Sequence, residues 1–156
     1  MHSRIFQLSK TTIPEEEYMS DTDFVDHWFT YSIADYTSDS DRGEDIEWLK
    51  DVYDGKGISF GADEGGEYIV IVDKALYFQN GFSAFQNMLK VLQNASLEEF
   101  ISSRTSMAMY QLNEAYDDKY GFYVDFDGYV QTLDHFIREN GDGGKYYIGA
   151  TLDYHY

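Results

Sequence analysis

The sequence predicts an α+β domain: a small mixed or antiparallel sheet of about five strands packed by several helices. Three observations predict it. The run Tyr68-Ile69-Val70-Ile71-Val72 is β-branched and apolar on both faces, as in a central strand covered on both sides. Ala75, Phe78, Phe82, Phe85, Leu89 and Leu92 recur at intervals of three and four, the stripe of a helix. Strands and helices follow one another irregularly, unlike the repeating units of a doubly wound sheet. The 156 residues are 43% hydrophobic and include 15 Tyr and 11 Phe, enough for one domain over residues 1–156 with its own core.

In chain order, Ile5, Phe6 and Leu8 mark an N-terminal strand. Pro14-Glu15-Glu16-Glu17 has the proline and acids that suit a helix start. Ser20 and Asp21 offer a second cap, followed by Phe24, Val25, Trp28, Phe29, Ile33 and Tyr36 at helical spacing. Thr37 to Gly43 reads as a polar loop, and Ile46, Leu49 and Tyr53 as the inner side of a helix ending at Gly55. Ile58–Gly61 and Glu67–Asp73 read as two strands joined by a turn. In the helix that follows, Phe78, Phe82, Phe85 and Leu89 are expected to pack on the sheet. Gly81 interrupts that segment off the stripe, at a cost of about 1 kcal/mol. Ser96 and Glu99 form a capping-box pattern whose helix would bury Leu97, Phe100 and Ile101, and a further helix spans about Ser106 to Asp117. Phe122–Phe126 is a strand, and Val130, Leu133, Phe136 and Ile137 define a helix ending at Asn140-Gly141. Lys145–Tyr154 is a last strand, with Tyr146, Ile148, Ala150, Leu152 and Tyr154 expected on one face.

Charge narrows the function. The chain carries 29 Asp and Glu against 11 Lys and Arg, a net −18. From Pro14 to Asp54 there are 14 acids and two bases, whereas Lys74 to Asn113 holds two acids and three bases. Such a surface repels nucleic acid and anionic membrane and attracts basic protein surfaces. There is no cysteine, which excludes disulfides, thiolate metal sites and cysteine nucleophiles. The N-terminus has no apolar signal region and no run is long enough to span a membrane, so a cytoplasmic location is expected.

Chemistry-bearing motifs are sparse. Val124-Asp125-Phe126-Asp127-Gly128 resembles the first motif of haloacid-dehalogenase-like phosphatases, in which the first Asp attacks phosphate beside Mg²⁺. Tyr129 stands where that family has Thr, and the 28 residues after Gly128 are too few for its remaining sheet and metal carboxylates. The segment also resembles an EF-hand loop, with Asp125, Asp127, Gly128, Val130 and Asp134 at positions 3, 5, 6, 8 and 12. Its first position, Tyr123, has no carboxylate. The simpler expectation is that Asp127 caps the helix that follows, with no metal held. Asp23, Asp26 and His27 could contribute metal ligands from one helix, and Asp134 and His135 lie apart from them. No phosphate-binding loop and no nucleophile elbow is present. No cofactor and no catalytic residue is expected.

The leading expectation is a non-enzymatic acidic binding protein that docks on a basic surface of a partner, such as a nuclease or another nucleic-acid-binding protein. Closely spaced carboxylates can imitate the phosphates of DNA, and phage or mobile-element antirestriction and anti-CRISPR proteins include DNA mimics of similar size and acidity. Asp39, Asp41, Glu44, Asp45 and Glu47 are the expected contacts, because a polar loop meeting a helix start presents them together. Two alternatives remain open at this point: an immunity-type protein that neutralises a basic toxin or nuclease, and a small metal-dependent or acid–base enzyme using Asp125 and Asp127.

Overall fold

The computed structural model describes residues 1–156. Its elements are β1 (His2–Ser9), α1 (Trp28–Ser32), β2 (Tyr36–Asp39), α2 (Arg42–Tyr53), β3 (Ile58–Asp63), β4 (Gly66–Ile71), α3 (Lys74–Gln93), α4 (Leu97–Ile101), α5 (Ser103–Tyr116), β5 (Tyr123–Phe126), β6 (Tyr129–Thr132), α6 (Leu133–Glu139) and β7 (Lys145–His155). Two 3₁₀ turns, Glu15–Glu17 and Asp21–Phe24, lie between β1 and α1. The fold is α+β, with a sheet of seven strands rather than five. Strand order is β3-β4-β7-β1-β5-β6, and β2 pairs with the C-terminal half of β7 beside β4. Only β1 and β5 run parallel. No helix is long and apolar enough to cross a membrane.

The sheet is covered on both faces. Against one, α2 and α6 bury Ile46, Leu49, Leu133, Phe136 and Ile137 over Phe6, Leu8, Val124, Ile69, Ile71, Tyr146 and Ile148. Against the other, the segment from Met19 to Ala34 packs Phe24 and Phe29 on Ile5, Tyr123, Leu152 and Tyr154. The central strands are therefore β1 and β7. Tyr68–Val72 lies one strand in from the edge: Ile69 and Ile71 are buried, while Tyr68 and Val70 are half-buried and Val72 is exposed.

The alternating face expected for β7 is broken by a bulge. Phe6 pairs with Thr151 but Leu8 with Ile148, so β7 holds one extra residue there. Tyr146 and Ile148 consequently join the α2/α6 side, and Ala150, Leu152 and Tyr154 the other. The side chain of Gln7 stitches the bulge, accepting from the amides of Ala150 (3.1 Å) and Met19 (3.2 Å). On its other edge β7 is left open between β4 and β2. Arg42, the first residue of α2, fills that gap by donating to the carbonyls of Gly149 (2.6 Å) and Ile148 (2.9 Å) and to Glu67 (2.9 Å).

The continuous helix expected from Phe24 to Tyr36 is instead a 3₁₀ turn, the short α1 and β2. His27 caps α1 with extended backbone and ends the turn before it. Tyr36 to Asp39 are drawn into pairing with His155 to Leu152, which a helix could not satisfy. The Asp127-Gly128 pair, with φ of 53° and 78°, is a two-residue hairpin turn between β5 and β6, the latter a strand not foreseen. The cap of α6 is accordingly Thr132, which accepts from the amide of His135 at 3.0 Å, and not Asp127.

The largest departure concerns α3, α4 and α5. All three helices form as expected, and Ser96 and Glu99 make both capping-box bonds (3.2 and 2.9 Å). Only Tyr77 and Phe78, at the start of α3, pack on the sheet core; the rest of the three helices does not lie on the sheet. The three form a helical hairpin in which α3 packs along α5, with no fully buried residue in α3. A Cβ at Gly81 would sit 2.9 Å from the carbonyl oxygen of Ala115, so glycine there lets the two helices meet closely. The hairpin is fixed at its base. Tyr77 donates to Asp134 at 2.7 Å, Thr132 to Asp117 at 2.5 Å, and the Arg138 guanidinium covers the rings of Phe78 and Tyr116. Phe82 and Leu89, and the Leu97, Phe100 and Ile101 tip, are exposed rather than buried.

Candidate functional site

The segment between β1 and α2 makes one layer of the molecule, and its charge is one-sided. Residues 11–41 contain nine acids, Glu15, Glu16, Glu17, Asp21, Asp23, Asp26, Asp35, Asp39 and Asp41, and no Lys or Arg. The local reason these acids face water is that Met19, Phe24, Phe29 and Ala34 take the inward positions on the sheet. Of the nine, only Asp35 has an ion-pair partner, His155, at 3.1 Å. Several have local roles: Asp23 closes a capping box with Ser20, Asp26 accepts from the Tyr31 hydroxyl at 3.1 Å, and Asp41 caps α2 by accepting from the Glu44 amide at 3.1 Å. None of these roles neutralises the charge.

The chain then passes around the sheet edge from this layer to α2. Asp39 ends β2, which has no strand on its outer side; a charged residue on such an edge also discourages pairing with another strand. Asp39, Asp41 and Glu44 are exposed where the chain turns, and Glu47 follows one helical turn later, paired with Lys50 at 2.6 Å. Asp45 departs from the expected surface set. It is 3% exposed and accepts from Arg4, from Ser40 at 2.5 Å and from Thr151 at 2.7 Å. Arg4 also pairs with Asp153. The helical period explains the difference: Asp45 shares the inward side of α2 with Ile46 and Leu49, whereas Glu44 and Glu47 point out. Its carboxylate holds α2 to the centre of the sheet and is not available to a partner.

The Asp125-Gly128 segment sits at the opposite end of the sheet. Asp125 has one carboxylate oxygen buried without a partner, beside a shallow cleft of about 170 Å³ lined by Gln7, Ser9, Glu17 and Asp127. Burial raises its pKa, with Asp127 and Asp23 adding to the effect and the Gly128 amide and His27 opposing it. No three His, Asp or Glu side chains converge in metal-ligand geometry. Asp23, Asp26 and His27 do not share a helix face, and Asp134 is taken by Tyr77 at the hairpin base.

The feature that sequence reasoning missed is the exposed apolar hairpin. A signal was present in the charge pattern: α3 to α5 carry Lys74, Lys90 and Arg104 against Glu98, Glu99 and Glu114, a net of zero in a chain of −18. Comparison with protein-family models, curated proteins and solved structures finds no match.

Proposed function

We propose that this chain is a non-enzymatic binding protein whose acidic layer docks on a basic surface of a partner protein, one shaped to hold nucleic acid. The observation that carries this reading is the run of nine acids without a Lys or Arg on residues 11–41, eight of them exposed and only Asp35 ion-paired. Uncompensated like charge destabilises a compact fold, and a basic partner relieves that repulsion while gaining a fast, steered encounter. Asp39, Asp41, Glu44 and Glu47 at the sheet edge are the leading contacts. A nuclease groove supplies the required charge, whether the chain blocks it as a nucleic-acid mimic of the antirestriction or anti-CRISPR kind or neutralises it as an immunity protein.

The test is capture of partners from the native cell, followed by affinity measurement with the purified partner. The variant Asp39→Lys/Glu44→Lys/Glu47→Lys keeps the Asp41 cap and the Asp45 cluster intact. It should weaken binding at least about tenfold, close to 1.4 kcal/mol, and flatten the salt dependence. Unchanged affinity and salt dependence with the fold intact would discard the reading.

A further inference from the structure

We propose that the apolar face of the α3–α5 hairpin is a self-association surface, on which two copies of this chain pack antiparallel with their acidic bodies at opposite ends. The face is continuous. Phe82 and Leu89, seven residues apart on α3, lie on the same side as Tyr116 of α5, whose ring is 6.2 Å from that of Phe85. Met109 precedes Tyr116 by seven residues and shares its side of α5. At the hairpin base this face opens into a groove of about 310 Å³ lined by Phe78, Phe82, Phe85, Ala115 and Tyr116, beside Arg138.

The area is what a stable dimer needs. Phe82, Leu89, Met109 and Tyr116 on the face are 44–59% exposed, and Leu97, Phe100 and Ile101 at the tip 71–77%. With roughly 200 Å² for a whole large apolar side chain, these seven present on the order of 800 Å². The four on the face account for about 430 Å², within the roughly 300–600 Å² of the largest apolar patch on an ordinary monomer, and burying the tip as well brings the total near the share one partner buries in a standard interface, about 800 Å².

Charge selects a second copy as the occupant. The hairpin is net neutral and α3 carries no charged side chain between Lys74 and Lys90, so apart from Arg138 at the groove and Glu98 and Glu99 at the tip the face offers little to an acidic or basic partner. A copy brings an equally apolar surface with the same zero net charge. A two-fold axis makes the contact closed and self-complementary, and of its two orientations only the antiparallel one separates the −18 bodies. The 20 residues of α3 span about 30 Å, beyond the Debye length of about 8 Å at physiological salt. That arrangement lays α3 against its own copy, crossing near Gln86, and brings each apolar tip alongside the groove at the base of the other hairpin.

Light scattering after size exclusion, from about 1 to about 100 µM, should show twice the chain mass of 18.1 kDa, with association undiminished at high salt. This salt response separates it from the acidic contact, which salt weakens. Phe82→Glu/Leu89→Glu, at exposed positions, should return the monomer with an unchanged circular dichroism spectrum. The chain has no cysteine, so single cysteines report geometry. Gln86→Cys should cross-link to its copy under mild oxidation, and Gln93→Cys, at the far end of α3, should not. A monomer at the highest concentration, a dimer that survives the double variant, or cross-linking through position 93 instead of 86 would overturn the proposal. A monomeric chain that binds neutral phosphatidylcholine vesicles through Phe100 and Ile101 would overturn it in favour of a lipid surface.

Discussion

Asp45→Ala should be the most destabilising substitution among the acids of α2. The carboxylate accepts from Arg4, Ser40 and Thr151 in a nearly closed site. Removing it leaves the two hydroxyls 3.2 Å apart and able to bond each other, so the main loss falls on Arg4. Breaking a buried ion pair by deleting one partner costs about 3–5 kcal/mol. Arg4 retains Asp153 and reaches some solvent, which places the cost at the low end, about 3 kcal/mol. For a chain of this size that is a fall in Tm of about 6–12 °C. Urea and thermal unfolding followed by circular dichroism measure it, with Glu44→Ala as the exposed control, expected to stay within about 0.5 kcal/mol of wild type. An Asp45→Ala cost below about 1 kcal/mol, indistinguishable from Glu44→Ala, would refute the assignment of Asp45 to the interior.

Arg42→Lys should cost about 2 kcal/mol, because an ammonium cannot replace the fork that serves two β7 carbonyls and Glu67; a loss under about 0.5 kcal/mol by urea unfolding would count against it. Gly81→Ala should destabilise by about 1 kcal/mol despite alanine's better helix propensity, since its Cβ meets the Ala115 carbonyl, and a more stable variant would contradict the close crossing. Burial raises the Tyr53 pKa to about 12 and lifts that of Tyr77 well above its ordinary value, the latter helped by Tyr53 and Asp134. Because these folded-state values lie above the unfolded one near 10, the stability they contribute is complete below about pH 10 and is lost as pH rises through about 12. Tyrosinate absorbance should therefore show a class of rings that titrates only with unfolding above about pH 11, and complete titration near pH 10 with the fold intact would oppose it.

Local chemistry was legible in the sequence wherever it decided the outcome alone. The capping box of Ser96 and Glu99, the β3–β4 hairpin, and the helices α2 and α3 formed where the cap, the turn and the apolar periods placed them, although α2 begins at Arg42, inside the stretch read as a loop. Tertiary pairing was not legible. Tyr36–Asp39 became a strand only because β7 offered an edge, and the face change within β7 required the bulge that Gln7 supports. The stripe on α3 was correctly read as apolar, but a stripe does not say whether a sheet, a neighbouring helix or another chain will cover it. Here α5 covers part, and Phe82 and Leu89 stay exposed. Among the expected contact acids, the 3.6-residue period separates buried Asp45 from its exposed neighbours. That distinction needed the position of the sheet, which a run of acids alone does not reveal.

The most direct test of the acidic-layer reading is the association rate of the purified partner as salt is raised from about 0.05 to about 0.5 M, for wild type and for Asp39→Lys/Glu44→Lys/Glu47→Lys. The wild-type rate should fall by about tenfold or more across that range, and the charge-reversed chain should start slower and depend on salt far less. A wild-type rate that is flat with salt, or a variant that matches it at every ionic strength, would contradict the proposal that this acidic surface steers the chain to a basic partner.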